Sequence, residues 1–169
     1  SPITVLSRKK ADIFVNISSS PFTAGKAGKR ARIFSALAAR LGKPVFFVNN
    51  VGIQNNGKTI FTFDGSSCIY DAKGSVVKSA RMFEETELTV ELPLHSPEPS
   101  HAGKHDDMAD ICGAIRYGTG RFMKLCGVEK VTIGISGGID SAVVAGLYRS
   151  ILAPENILLV NMPGPHNSP

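Results

Sequence analysis

The chain has 169 residues, of which 43% are hydrophobic and 20% charged, and its formal net charge is +5. This length suits one ordinary domain or two partial ones, and no apolar run is long enough for a membrane span. The basic residues are dispersed, and the positive charge lies in residues 1–92 rather than in the remainder. This distribution argues against nucleic acid as a partner.

The three cysteines, Cys68, Cys112 and Cys126, are odd in number and lack the spacing of metal ligands. A disulfide framework or zinc site is therefore not expected, and a reducing, cytoplasmic setting fits best. The sequence begins Ser1-Pro2 without a signal-peptide pattern, and the missing initiator Met suggests a fragment or a processed chain.

The first fifty residues show strand and helix patterns in alternation. Apolar periodicity predicts a helix within 3–11, a strand over 12–17, a helix over 27–41 and a strand over 44–50. The long helix is expected to end at Gly42. Its buried face is predicted to hold Ile33, Phe34, Leu37, Ala38 and Leu41. Strand, helix and strand in this order predict a right-handed crossover with parallel strands.

Shorter strands are predicted next, with turn signals between them. They cover 59–63, 67–70, 76–80 and 88–92. Residues 93–107 contain three prolines and three histidines among small polar residues, which predicts a linker between two domains. The histidines have no regular metal spacing and are expected to be solvated.

A helix over 108–125 is predicted to lead into a strand over 131–135, and a further helical pattern covers 142–152. Between the last two lies Ser136-Gly-Gly-Ile-Asp-Ser141, whose adjacent glycines allow close approach of a ligand. Asp140 and Ser141 fall at the helix start, where free N–H groups and the helix dipole attract an anion, so a phosphate is expected. A turn at 154–156 and a second parallel strand at 157–160 follow.

The stretch from Ser136 to Ser141 resembles the pyrophosphate-binding loop of the ATP pyrophosphatase superfamily. The resemblance implies that the loop amides and two serine hydroxyls surround the phosphates of ATP, and that Asp140 holds Mg²⁺, a cation that prefers oxygen ligands. The implied ATP-binding residues are Gly134, Ile135, Ser136, Gly137, Gly138, Ile139, Asp140 and Ser141. An ordinary glycine-rich turn is the alternative.

Residues 12–92 resemble the second half of a nitrilase-type glutamine amidase domain. The similarity lies in four stretches, 16–26, 48–52, 63–67 and 83–85. Such a domain ahead of an ATP pyrophosphatase loop is the arrangement of the glutamine-dependent NAD synthetase family. The resemblance implies that Ser20 contacts glutamine and that Lys26 pairs with its carboxylate. The Lys26 ammonium offers a single point charge, whereas an arginine would bind the carboxylate through two parallel hydrogen bonds. Alternatively, Ser20 only ends a strand and Lys26 is solvated.

The resemblance also implies a fold class and a division of the chain. The fold is expected to be α/β, with the C-terminal half of a nitrilase-like α/β sandwich over residues 1–92 and a linker over 93–107. Residues 108–169 would form the first βαβ unit of a Rossmann-like, adenine nucleotide alpha hydrolase-like parallel sheet. The amidase Cys, Glu and Lys would precede Ser1, so no catalytic residue is assigned here, and the chain would be an internal piece of an enzyme.

The implied reaction is ATP-dependent amidation of deamido-NAD to NAD, in which ATP adenylates the substrate and glutamine-derived ammonia displaces AMP. Deamido-NAD, ATP and glutamine would be the partners, with neither nucleic acid nor membrane, and the intact enzyme would be a homo-oligomer. Another amide-forming or RNA-modifying ATP pyrophosphatase, or a non-catalytic scaffold fragment, is the alternative.

Gly52-Ile-Gln-Asn-Asn-Gly-Lys-Thr59 also satisfies the P-loop pattern. A P-loop requires a helix after Thr59, yet the next residues have strand and turn character. A hairpin loop is therefore predicted. The family resemblance suggests an acidic pair where Asn55-Asn56 stands, which leaves the role of this loop open.

Overall fold

The computed structural model describes residues 2–94, 106–162 and 164. The chain divides into two compact units, Ser1–Ala114 and Ile115–Pro169, and the division falls within a long helix. No helix in these described ranges is both long and apolar enough to cross a lipid bilayer.

The first unit contains short strands around one well-formed helix. Its elements are α1 (Pro2–Ser7), β1 (Phe14–Ser18), α2 (Lys26–Leu41), β2 (Val45–Asn49), β3 (Val51–Asn55), β4 (Ile60–Asp64), β5 (Cys68–Tyr70) and β6 (Val76–Ser79). Helix α3, Asp107–Cys126, begins in this unit. The predicted helix over 27–41 is thus confirmed within one residue, and Gly42 ends it in the left-handed conformation at φ 61°.

Four of these strands form a sheet in the order β1-β2-β5-β6. Strands β1 and β2 are parallel, in the register Phe14↔Val45, which confirms the predicted parallel pairing. Strand β5 pairs antiparallel with both β2 and β6. The sheet is therefore mixed, with helix α2 connecting its parallel pair.

The core of this unit lies between α2 and the sheet. Its buried residues are Ala38, Val45, Phe47, Cys68 and Tyr70, with Phe34, Leu37 and Leu41 among the partly buried residues packed against them. The rings of Phe34 and Phe47 stack with their centroids 4.5 Å apart. Alternate residues of β2 point the same way, so Val45 and Phe47 share the face toward α2.

The prediction that Ile33 lies on the buried face of this helix is wrong. Ile33 is 53% exposed, whereas Arg30 is only 8% exposed. At about 100° per residue, Arg30 lies in the middle of the stripe formed with Phe34 and Leu37, whereas Ile33 lies at the edge of that stripe, about 100° from Phe34. An arginine rather than an isoleucine therefore completes the inner face.

The P-loop-like stretch forms a hairpin, as predicted. Strands β3 and β4 are antiparallel from Val51↔Asp64 to Asn55↔Ile60. In the loop, Asn56 Oδ1 accepts hydrogen bonds from the N–H groups of Lys58 and Thr59 at 3.1 and 2.8 Å. The element that follows Thr59 is strand β4 rather than a helix. Strand β3 itself was not predicted, because the predicted strand ends at Asn50 and residues 52–59 were all assigned to the hairpin loop.

The predicted strand over 88–92 is wrong. Residues 88–92 lie in no strand and pair with no strand among the described residues, and Leu92 is 54% exposed. The Thr89 carbonyl accepts a hydrogen bond from Lys78 Nζ at 3.1 Å. Alternating apolar residues favour a strand only where a neighbouring strand offers hydrogen bonds. Most of the predicted linker, residues 95–105, lies outside the described residues.

The second unit contains one parallel strand pair with a helix between the strands. Its elements are the rest of α3, β7 (Val131–Gly134), α4 (Ile139–Arg149), a 3-10 helix (Pro154–Asn156) and β8 (Ile157–Val160). Strands β7 and β8 pair in parallel from Val131↔Ile157 to Gly134↔Val160. The predicted βαβ unit is therefore present.

Candidate functional site

The loop between β7 and α4 contains the residues predicted to bind phosphate. The Ile135 N–H donates to the Val160 carbonyl at 2.8 Å, which continues the pairing of the two strands by one residue. Gly137 then has a φ of 84°, a conformation that favours glycine. Gly138, the N-cap of α4, is extended and offers no side chain to cap the helix. Free N–H groups at the start of α4 therefore remain available to an anion.

The two predicted serine hydroxyls lie side by side. The Oγ atoms of Ser136 and Ser141 are 3.3 Å apart. Ser141 Oγ donates to the Gly138 carbonyl at 3.0 Å and accepts the Ser136 N–H at 3.3 Å. The Gly138 N–H in turn donates to Ser136 Oγ at 3.3 Å. These bonds hold the loop in shape.

The space around this loop is open. A Cβ built on Gly134 or Gly137 would meet no atom within 4 Å, and one on Gly138 would meet only Ser136 Oγ, at 3.5 Å. A shallow cavity of about 290 Å³ adjoins the loop, with Ile135, Ser136 and Asn161 in its lining. There is room beside the loop for a phosphate group.

Asp140 lies in the first turn of α4. Its carboxylate is exposed and makes no hydrogen bond or ion pair within the described part of the chain. No group of three or more His, Cys, Asp or Glu that could hold a metal exists among the described residues. A single exposed carboxylate beside a loop with room for phosphate fits a cation that takes one carboxylate and completes its shell with phosphate oxygens and water, as Mg²⁺ does.

Of the two residues predicted to contact glutamine, Ser20 lies between β1 and α2, and Lys26 is the first residue of α2. Lys26 is half-buried, and its Nζ donates to the Pro21 carbonyl at 3.0 Å. The Ser20 hydroxyl makes no hydrogen bond to any described residue. Lys26 is thus held in place rather than freely solvated, and the Ser20 hydroxyl is available to a ligand.

Sequence reasoning missed Asn49, the residue that holds Ser20. The Ser20 N–H donates to Asn49 Oδ1 at 2.8 Å, and Asn49 Nδ2 donates to the carbonyls of Ser20 and Gly65 at 3.3 and 2.9 Å. Asn49 is only 7% exposed. An asparagine at the end of a buried strand was the available signal, because a buried amide requires partners.

A buried ion pair between Arg30 and Asp64 was also missed. Arg30 Nη1 lies 3.1 Å from Asp64 Oδ1, and Nη2 bonds Oδ2, which also accepts the Ser66 hydroxyl at 3.0 Å. The guanidinium carbon lies 5.6 Å from the centroid of the Phe47 ring. This pair anchors the end of β4 and the turn after it to helix α2.

The three cysteines are unpaired. Cys68 is buried, and burial raises the pKa of its thiol, so it is protonated at neutral pH. Its polar neighbour Tyr70 is no base, since burial raises the pKa of that hydroxyl too. Cys112 and Cys126 lie on α3. A nucleophilic thiol must be ionised, and burial keeps the Cys68 thiol in its unreactive protonated form.

A parallel βαβ unit with an open glycine-rich loop before its helix is an arrangement typical of α/β proteins that bind nucleotides, and here it follows a mixed sheet with a crossover helix. Residues 2–100 match the family model described as carbon-nitrogen hydrolase, and the chain belongs to this family. Residues 114–169 match the family model described as NAD synthase.

Curated relatives match along nearly the whole chain. The glutamine-dependent NAD(+) synthetase of Synechocystis sp. is 31% identical over 99% of this chain and 30% of its own length. That of Rhodobacter capsulatus is 29% identical over 94% of this chain and 29% of its own length. The chain therefore spans less than a third of the length of these relatives.

Solved structures agree with this assignment. The glutamine-dependent NAD+ synthetase of Acinetobacter baumannii, solved in complex with ADP, superposes with a TM-score of 0.87 and 28% identity. The match covers 98% of this chain and 31% of that one. The Cytophaga hutchinsonii enzyme of the same name shares the fold, with a TM-score of 0.71 at 18% identity. The expected fold class, half of a nitrilase-like domain followed by the start of a synthetase domain, is confirmed.

Proposed function

We propose that this chain is part of a glutamine-dependent NAD synthetase that converts deamido-NAD to NAD. The observation that carries this proposal is the order of the two halves, since a carbon-nitrogen hydrolase match at 2–100 precedes a NAD synthase match at 114–169. The term complete enzyme denotes a protein of the full length of these relatives that contains this chain. We propose domain boundaries at 92 and 108, with the linker between them.

The loop before α4 is proposed to bind the phosphates of ATP. When deamido-NAD is adenylated, its carboxylate oxygen bonds to the α-phosphorus, and the bond to the pyrophosphate oxygen breaks. Negative charge then grows on the leaving pyrophosphate. The Ser136 hydroxyl and the N–H groups at the start of α4 would donate to it, as would the Ser141 hydroxyl in place of its bond to the Gly138 carbonyl. Donors of this kind stabilise developing charge.

Asp140 is proposed to hold Mg²⁺ beside these phosphates, because its carboxylate is exposed and makes no bond to the described residues. The cation would neutralise phosphate charge in the transition state. Gly134, Ile135, Gly137, Gly138 and Ile139 would contribute backbone to the same site. The bare glycine positions support close approach of the triphosphate.

The first unit is proposed to contribute to the glutamine site. The Ser20 hydroxyl would bond the substrate, and the Lys26 ammonium would pair with its carboxylate. Ammonia released from glutamine would then displace AMP from the adenylated intermediate. We propose that the complete enzyme is a homo-oligomer and that it is cytoplasmic. The three unpaired cysteines support the cytoplasmic location.

The test supplies the complete enzyme with deamido-NAD and ATP, and with either glutamine or ammonium. We expect NAD, AMP and pyrophosphate in equal amounts from either nitrogen source, and no NAD without one. The present chain alone should release ammonia from glutamine only at background rate. Formation of AMP with an acid other than deamido-NAD, and no NAD, would replace the proposal with another amide-forming or RNA-modifying enzyme.

A further inference from the structure

The Asn49 side chain joins three segments of the first unit that are distant in sequence. It lies at the end of β2 and bonds both backbone groups of Ser20 as well as the carbonyl of Gly65. Its own N–H donates to Ser67 Oγ at 3.0 Å. The amide thus links the end of β1, the end of β2 and the turn after β4.

The segment that Asn49 holds is the one that carries the proposed glutamine contacts. From Ser20 the backbone continues into Pro21, whose carbonyl accepts Lys26 Nζ. On the next residue, the Phe22 N–H donates to the Thr62 carbonyl at 2.7 Å. Asn49 therefore fixes one end of this segment, while β4 fixes its middle.

We propose that Asn49 is a positioning residue for glutamine binding, which acts through the backbone of Ser20 without touching the substrate. This inference rests on the proposed function. The positioning role requires an amide side chain at residue 49, because the Ser20 N–H needs an acceptor while the carbonyls of Ser20 and Gly65 need donors. A carboxylate of the same shape offers no donor and would place negative charge against two carbonyl oxygens.

The decisive variant is Asn49→Asp in the complete enzyme. Loss of the two Nδ2 hydrogen bonds should raise the KM for glutamine about tenfold or more, while NAD synthesis from ammonium stays within about twofold of wild type. Asn50→Asp is the matched control, since Asn50 is exposed and its side chain bonds no described residue. It should leave both activities near wild type.

A second measurement separates positioning from general damage. The amidase thiol of the complete enzyme is labelled with a glutamine-like diazoketone and, separately, with iodoacetamide, and the two rates are compared. Asn49→Asp should slow the first label, which must occupy the glutamine site, and leave the second unchanged. If Asn49→Asp does not fold, Asn49→Ser, which keeps one donor and acceptor, must show the same selective loss.

An unchanged KM for glutamine in the folded variant would overturn the role of Asn49. Equal losses with glutamine and ammonium, or of both labelling rates, would do the same, because they indicate a purely structural residue. The wild-type enzyme could also make NAD with neither nitrogen source, while Asn49→Asp still slows only the glutamine-like label. In that case the proposed synthesis fails and the positioning role of Asn49 stands.

Discussion

Arg30 and Asp64 form a bidentate ion pair in the interior of the first unit. Asp64 has no exposed surface and Arg30 is 8% exposed. The Arg30 guanidinium reaches both carboxylate oxygens, at 3.1 Å from Nη1 to Oδ1 and through a second bond from Nη2 to Oδ2. Neither charge faces water, so each depends on the other for its stabilisation.

The first prediction concerns removal of the cation. Arg30→Met should lower the free energy of unfolding by about 3–5 kcal/mol, because Asp64 would remain buried without its partner. Urea denaturation of the complete enzyme, followed by circular dichroism, measures the change. Arg32→Met, on the exposed side of the same helix, should cost less than about 0.5 kcal/mol. The double variant Arg30→Met/Asp64→Leu should recover much of the loss, and equal stability of wild type and Arg30→Met would contradict this account.

The elements of the fold were predictable because local patterns determine them. Helix α2 shows apolar residues at helical spacing and a glycine stop, and β7, the loop and α4 appear as consecutive signals within about twenty residues. The strand over 88–92 failed for the opposite reason. Its apolar alternation is local, but a strand also needs a partner, and that depends on the arrangement of distant segments.

The predicted sites show the same division. The proximity of Ser136 and Ser141 follows from a short loop before a helix, which sequence spacing expresses directly. The contacts of Asn49 and Arg30 do not, because Asn49 is separated from Ser20 by 29 positions and Arg30 from Asp64 by 34. Only the folded sheet brings these residues together. Their burial could not be predicted from residue types that are usually exposed.

The second prediction concerns Cys68. Burial raises its pKa, with hydrogen bonds from Tyr70 and the Ile69 backbone acting in the opposite direction. The folded chain therefore keeps the thiol proton at a pH where the unfolded chain has lost it. Stability from this group is complete at neutral pH and falls as pH rises above the ordinary thiol pKa, since the unfolded state then binds fewer protons.

Iodoacetamide labelling, read by peptide mass spectrometry, measures the reactivity of each thiol. Cys126 is exposed and Cys68 buried, so Cys126 should react rapidly at about pH 8 while Cys68 reacts only after denaturation. Cys126→Ser should remove the fast reaction and leave that of Cys68 unchanged. Rapid labelling of Cys68 in the native protein would show that its thiol is accessible and ionised.

The third prediction compares adjacent glycines of the phosphate loop. Gly137→Ala should destabilise the synthetase part by about 1–2 kcal/mol, because alanine is strained at a φ of 84°. Gly138→Ala should leave stability nearly unchanged, since its backbone is extended and its new Cβ meets only Ser136 Oγ at 3.5 Å. The added methyl should nevertheless raise the KM for ATP about tenfold by obstructing the phosphates. Thermal melts and ATP titrations separate the two effects, and normal ATP binding by Gly138→Ala would place the phosphates elsewhere.

The fourth prediction concerns the P-loop-like hairpin. Lys58→Ala should change the affinity of the complete enzyme for ATP by less than about twofold, or 0.5 kcal/mol, because Lys58 is exposed on the loop between β3 and β4. Equilibrium titration with a fluorescent ATP analogue measures the affinity. A greater loss than that caused by Asp140→Ala would transfer the nucleotide site from the loop before α4 to this hairpin.

The fifth prediction is that Asp140→Asn in the complete enzyme abolishes adenylation and leaves glutamine hydrolysis measurable. Removal of a metal-binding carboxylate should cost several kcal/mol in the transition state, because phosphate charge is no longer neutralised. The loop should keep its shape, since the Asp140 side chain bonds no described residue and Asn is nearly isosteric.

Pyrophosphate release measures adenylation, and Glu155→Gln, at an exposed acid of the same unit, is the control. Synthesis should fail with ammonium as well as with glutamine, which locates the defect in the synthetase site. NAD formation from ammonium at near wild-type rate, with Mg²⁺ present, would rule out Asp140 as the metal ligand.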